Sequence, residues 1–266
     1  MIVDCHVPVY DEAEYAPMLA ETAQNLGIDK LCLMSGRQRY RCVGNDQVLE
    51  YSHKYPDMFI PIAHLDLAEA RPENVQKLVL DGFCGIRVDV PPAPYDDAQF
   101  YGVYEAAATV GVPLFFHTGF VPRSTLDKAI NPRMRHMRPS CLDTIARRFP
   151  GLDLVGCGLG GPWYEEAAET LRWNENVYFD LSGCSIRNRG AAFFRSVFGP
   201  FSGPFSGKNY RGGLWERIMF GTGAHYKHLA AVESGYRRLL HSLAVSDDVV
   251  SDIMAGNALK LLNCSG

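Results

Sequence analysis

The chain has 266 residues, 47% hydrophobic and 21% charged, an ordinary globular composition with enough length for one large core. A net charge of −4 and a pI near 6.1 give no electrostatic case for a nucleic-acid partner. No apolar run approaches the roughly 18–20 residues of a membrane span. The opening Met1-Ile2-Val3-Asp4-Cys5-His6-Val7-Pro8 reads as a strand, not as a charged region leading a signal segment. The expectation is a cytoplasmic protein with no membrane partner. Eight cysteines, at 5, 32, 42, 84, 141, 157, 184 and 264, include no C-x-x-C pair and are expected to be reduced, mostly buried thiols.

In chain order, the first strand is short and β-branched and ends at His6. A helix is expected over 12–26, ended by Gly27, followed by a strand over 30–34 and a helix over 44–55 that stops before Pro56. A third strand (59–64) leads to a helix over 71–80, where Pro72 is acceptable near the start. A fourth strand (83–90) precedes an Ala-rich helix over 96–110 with Asp96 or Asp97 as its cap. The fifth strand (113–117) is apolar until His117. Helix 138–149, strand 152–157, helix 163–173 and strand 176–181 follow. A helix falls somewhere within 189–198, an eighth strand within 215–221, and helices over 226–243 and 247–262 close the chain.

Eight strand–helix units of about 30 residues imply a parallel sheet, since each parallel strand needs a crossover. They fit a closed (β/α)8 TIM barrel forming a single domain over 1–266. The alternative, an open doubly wound sheet, is weakened by the lack of a G-x-G-x-x-G after the first strand. Two long loops, 118–137 and 182–214, follow strands 5 and 7 on the face where barrels build their sites. The second repeats Gly-Pro-Phe-Ser-Gly at 199–203 and 203–207.

The carboxyl ends of the strands carry His6, Ser35, His64, Arg87 with Asp89, His117, Cys157, Asp180, and Thr222 with His225. Imidazoles converging there suit general acid–base work or metal binding. A catalytic ion wants three protein donors and an open position. His6 and His117 could supply two and Cys157 a third, while His64 would have to turn inward. For His64 a strand-end hydrogen bond, and for Cys157 a small buried hydrophobe, are the plainer expectations. Arg37, Arg39 and Arg41 follow strand two, and Arg123, Arg133, Arg135 and Arg138 follow strand five. Arginine forks suit carboxylates or phosphates, although any one of them can simply face water. Arg87 lies inside an apolar strand, where a guanidinium must find a partner or a ligand.

The ordered set of segments resembles the amidohydrolase-related barrel family, which holds metal-dependent hydrolases, lactonases and aromatic-acid decarboxylases. It runs from Ile2-Val3-Asp4-Cys5-His6 through Gly82-Phe83-Cys84-Gly85-Ile86-Arg87 and Pro113-Leu114-Phe115-Phe116-His117-Thr118-Gly119. It continues in Gly158-Leu159-Gly160-Gly161-Pro162-Trp163, Asn176-Val177-Tyr178-Phe179-Asp180-Leu181-Ser182-Gly183, Arg217-Ile218-Met219-Phe220-Gly221-Thr222-Gly223 and Gly256-Asn257-Ala258-Leu259. The resemblance implies metal ligands at His6 and His117. It also marks three departures. Pro8 stands where the family's second first-strand histidine is expected, Gly158 where the sixth-strand histidine is, and Gly223 where the eighth-strand aspartate is.

Two readings follow. In one, the protein is a hydrolase or carboxy-lyase for a small anionic molecule, a carboxylated ring or a lactone. Arg87 with Arg123 or Arg135 would hold the carboxylate, helped by His64 and Asp89. His117 would polarise a carbonyl or protonate the product, His6 would orient water, and His225 would be a reserve base. No cofactor is firmly implied. A zinc or manganese ion enters only if His6 and His117 recruit a further ligand such as Cys157. In the other reading, the chain is a non-catalytic relative that binds a partner, as a homodimer or with an active paralogue.

Overall fold

The computed structural model describes residues 1–37, 41–121, 123, 128, 131–183, 189–199 and 213–262. Arg39, the repeat in the strand-7 loop beyond residue 199, and cysteines 184 and 264 lie outside them. Eight parallel strands form one sheet in sequence order: β1 (Val3–Pro8), β2 (Lys30–Met34), β3 (Phe59–His64), β4 (Gly85–Val88), β5 (Leu114–His117), β6 (Leu154–Cys157), β7 (Val177–Asp180) and β8 (Ile218–Met219). The seam between β8 and β1 is bridged by Cys5 N–H to Phe220 O at 2.9 Å and Gly223 N–H to His6 O at 2.8 Å. The fold is a (β/α)8 TIM barrel.

The helices are α1 (Tyr15–Leu26), α2 (Asn45–Lys54), α3 (Pro72–Leu80), α4 (Tyr101–Val110), α5 (Pro139–Arg148), α6 (Tyr164–Trp173), α7 (Ala191–Phe198), α8 (Leu229–Leu243), α9 (Asp247–Ser251) and α10 (Asn257–Leu261). Most begin a residue or more later than the periodicity predicts. The largest delay is in α4, where the Asp97-capped segment Ala98–Phe100 forms a 3₁₀ turn ahead of the helix; in α1, Glu14 takes a left-handed φ of 57° that a helix cannot propagate through. Gly27 ends α1 with φ 66°, its N–H returning to the last turn, as a left-handed cap requires. The predicted final helix is interrupted by a π turn over Asp252–Gly256. There Phe220 N–H takes the Ile253 carbonyl at 2.8 Å, and Asn257 Nδ2 donates to Ile218 O at 2.9 Å. The irregular turn thus docks the last helix on the short β8. Among the described residues, no helix is long and apolar enough to cross a membrane.

Strand alternation decides what faces the site. Cys32, Met34, Ile62, Phe115, Val155, Cys157 and Met219 fill the barrel interior. Leu31, Leu33, Ile86, Val88, Leu114, Phe116, Leu154 and Phe179 pack outward against the helices. The same period of two turns Arg87, His117 and Asp180 inward. In β1 the register with β2 shifts between Asp4 and Val7, a bulge of the kind that re-aims a side chain, and His6 sits in it. Asp4, fully buried beside the bulge, accepts Thr222 N–H at 2.9 Å and Thr222 Oγ1–H at 2.6 Å. Burial pushes its carboxyl up to about 6 despite those bonds.

The cysteine expectation needs one correction. Cys5, Cys32, Cys42, Cys141 and Cys157 are buried and form no disulfide, but Cys84 is disulfide-bonded. It stands half-exposed just ahead of β4, at the edge of the interior cluster that buries Cys5, Cys32 and Cys157.

Candidate active site

A cavity of about 430 Å³ opens at the carboxyl ends of the strands, lined by His6, Arg87, Asp89, His117, Arg123 and Cys157, with Tyr10, Val90, Phe120 and Val121 as its apolar wall. That volume lies in the range of small-ligand sites. Val90 has φ 45°, an unusual conformation for a β-branched residue. Such strain, directly after Asp89 and on the cavity wall, is typical of functional sites.

On one side stands His6, only 7% exposed. Its Nδ1 meets Asp180 Oδ2 at 2.8 Å. Asp180 Oδ1 accepts Gly158 N–H at 2.7 Å, Ser182 N–H at 2.9 Å and Ser182 Oγ–H at 2.5 Å. Burial alone would raise the Asp180 pKa. The His6 charge, the His6 hydrogen bond and the Ser182 donors outweigh it and hold the carboxyl below its usual range. A carboxylate on Nδ1 fixes the proton there and leaves Nε2 as the lone pair.

On the other side Asp89, 2% exposed, gathers three cationic or cationisable groups. Arg37 Nε lies 3.0 Å away, His64 Nε2 3.1 Å, and Arg87 Nη2 3.4 Å. Burial again opposes ionisation, but the His64 hydrogen bond and the Arg87, His64 and Arg37 charges drive the carboxyl far below its usual range. Arg37 also pairs with Asp66. Arg87 is the loosely held member. Its hydrogen bond from Nη1 to Ser35 O is 3.4 Å long, and its buried Nε has no partner among the described residues.

His117 sits between the two groups. Burial first, then the Arg87 charge, pull its pKa below the ordinary value. Its Nε2 lies 3.1 Å from Phe120 O. A carbonyl only accepts, so Nε2 carries the proton and Nδ1 is an acceptor.

The structure therefore brings His6, His117, Arg87, Asp89, Arg123 and Cys157 around one cavity. It leaves three expected residues off the cavity wall. His64 is behind Asp89 as a support. Arg135 is exposed on a short 3₁₀ turn, Met134–Met137. His225 is engaged at both ring nitrogens. Nε2 faces Glu12 Oε2 at 3.1 Å and Nδ1 accepts Lys227 N–H at 3.3 Å, with Tyr10, Tyr15 and Tyr226 packed around the ring. A reserve-base role does not fit that placement. Asp180 and Ser182 are the residues that sequence reasoning passed over as site members. Asp180 stood among the strand ends, but its link to His6 spans 174 positions, which no local pattern shows.

Pro8, Gly158 and Gly223 all line the cavity, and none offers a side-chain donor. A Cβ on Gly223 would lie 2.9 Å from Ser182 Cβ, with φ already at +54°. Ser182 thus takes the space that a side chain at 223 needs. Among the described residues, the donors grouped closely enough for an ion are His6, Cys157 and Asp180, whose ligand atoms lie within 4.8 Å of one another.

Against this geometry, a family model described as Amidohydrolase matches residues 4–264, and the chain belongs to that family. No curated protein matches the chain. An uncharacterised TIM-barrel protein from Bordetella bronchiseptica superposes with TM-score 0.73 at 19% identity, covering 98% of each chain. A 5-carboxyvanillate decarboxylase from Sphingomonas paucimobilis gives TM-score 0.63 at 16% identity, over 92% of this chain and 82% of that one. A probable 2-pyrone-4,6-dicarboxylic acid hydrolase from Acinetobacter baumannii, with citric acid bound, gives 0.62 at 12%, over 98% of each. At these identities the likeness speaks for the fold alone.

Proposed function

We propose that the chain is a hydrolase or carboxy-lyase acting on a small carboxylated ring or lactone, with His6 as its acid–base group. The observation that carries this reading is the pairing of two features on one cavity: an under-satisfied Arg87 guanidinium and the His6–Asp180 pair. The family's metal arrangement does not fit the residues present. Three of its positions are Pro8, Gly158 and Gly223, and His117 Nε2 is engaged by Phe120 O. No step is therefore routed through such an ion.

The substrate carboxylate would take the free edge of Arg87, with Arg123 at the rim. Its ring would lie against Tyr10, Val90 and Phe120. His6 Nε2 would remove a proton from water as it attacks the carbonyl, and Asp180 would stabilise the imidazolium that forms, as an oriented carboxylate does for a general base. His6 would then return the proton to the leaving oxygen. Neutral His117 would hold the water through Nδ1. Its committed Nε2–H does not suit the carbonyl-polarising role expected from the sequence.

The related decarboxylase supports the carboxy-lyase version, in which imidazolium His6 protonates the product carbon. The missing donors at 8, 158 and 223 support a non-catalytic binding role as the second reading. Thermal unfolding across a panel of aromatic carboxylates and lactones tests the proposal, with product analysis of each stabilising compound. A bound compound at 100 Kd adds about 2.7 kcal/mol, or several degrees for a chain of this size. The expected result is a rise that Arg87→Met abolishes, with turnover of the bound compound. A rise without turnover supports the binding role. Equal midpoints for the wild type and Arg87→Met with every compound overturn the anion-binding reading.

A further inference from the structure

We propose that the barrel mouth holds a thiophilic divalent cation, of the zinc and cobalt class, on His6, Cys157 and Asp180. This set differs from the family's ligand positions, since it moves the sixth-strand donor from position 158 to the preceding residue and draws a carboxylate from β7.

Imidazole, thiol and carboxylate donors converge within 4.8 Å. A tetrahedral ion with bonds of 2.0–2.3 Å spaces its donors at roughly 3.3–3.8 Å, so the set has to close by about an ångström. His6 Nδ1 and Asp180 Oδ2, 2.8 Å apart across their shared proton, would instead separate by about half an ångström to admit the ion. His6 and Cys157 both line the cavity, which leaves one side open for an exchangeable fourth ligand, the arrangement of three-donor zinc sites. The thiol and imidazole select against magnesium and calcium, which want oxygen donors.

Charge favours the same ion. All three residues are buried. A dication with one thiolate and one carboxylate makes a neutral cluster in that buried setting. Binding breaks the Cys157 S–H bond and releases its proton to solvent. The His6 proton leaves Nδ1 and bonds to Nε2. New bonds form from the ion to Sγ, Nδ1 and Oδ2. One proton is released per ion, with no change of oxidation state.

The loaded and unloaded states exclude each other at His6, because a metal-bound Nδ1 with Nε2–H has no lone pair to act as a base. The inference rests on the donor geometry and not on the reaction proposed above, and its readout needs no substrate.

The test is a titration of chelator-treated protein with Co(II), followed by absorption and by proton release in weak buffer. The expected result is one ion per chain, a thiolate-to-cobalt charge-transfer band, tetrahedral ligand-field bands and one proton released. Cys157→Ser and Cys157→Ala should each abolish the charge-transfer band, and Asp180→Asn should weaken binding by at least about tenfold, the loss that even an outer partner of a ligand causes. Cys42→Ser, at a second cysteine on the cavity wall, should leave the charge-transfer band in place. Two Cys157 variants guard against one that fails to fold, with far-ultraviolet circular dichroism as the check. No stoichiometric binding, or a charge-transfer band that survives in a folded Cys157 variant, overturns the proposal.

Discussion

Asp89 and Asp180 are both buried carboxylates at strand ends of one cavity, yet they are held in opposite ways. Asp89 collects Arg37, Arg87 and His64, so the charges around it exceed its own and Arg87 keeps donors to spare. Asp180 is satisfied by two backbone N–H groups and a serine hydroxyl, and its cationisable partner is His6. The first arrangement makes a fixed positive anchor. The second orients a single imidazole through its Nδ1. A carboxylate's role in this barrel is set by which donors surround it, not by its own burial.

The comparison can be broken at several points. His6→Ala should remove the acid–base group and lower turnover by about 10²- to 10⁴-fold, with the affinity for the carboxylated ligand kept. Asp89→Asn leaves Arg87 without its counter-ion and Arg37 with Asp66 alone. It should lower unfolding stability by about 3–5 kcal/mol, as removal of one partner from a buried ion pair does, read from urea melts. Gly223→Asp, which restores the residue type implied by the family resemblance, should destabilise by about 1–3 kcal/mol. The cause is its left-handed φ and the contact with Ser182, and the variant should not raise activity.

The smallest effect concerns pH. The His117 pKa is depressed in the folded state, so below the ordinary value of about 6.5 the unfolded chain binds a proton that the folded chain does not. Stability from this residue is complete above that pH and is lost as pH falls through it toward the folded value. His117→Gln should flatten that part of the stability–pH curve, measured by melts at steps between pH 7 and 5.

Much of the frame was legible before the structure. Regular alternation located all eight strands, and the carboxyl ends it marked include Arg87, His117 and Cys157, which line the cavity. The resemblance pointed to positions 8, 158 and 223, and all three line the cavity. Orientation was not legible. His64 and His225 stand near strand ends like His6, but His64 turns to Asp89 and His225 packs among three tyrosines. Strand position fixes where a Cα lies, while hydrogen-bond partners far along the chain decide where the ring points. The same holds for the tautomer of His117, set by the carbonyl of Phe120, and for the exclusion of a side chain at 223 by Ser182.

The most direct test of this division between anchor and base is a paired measurement of Kd, by calorimetry, and of kcat. It compares His6→Ala and Arg87→Met on the panel compound that binds the wild type best. Loss of kcat with unchanged Kd in His6→Ala, and weakening of Kd by about 10- to 100-fold in Arg87→Met, is the expected pattern. Wild-type kcat in His6→Ala, or wild-type Kd in Arg87→Met, would contradict it.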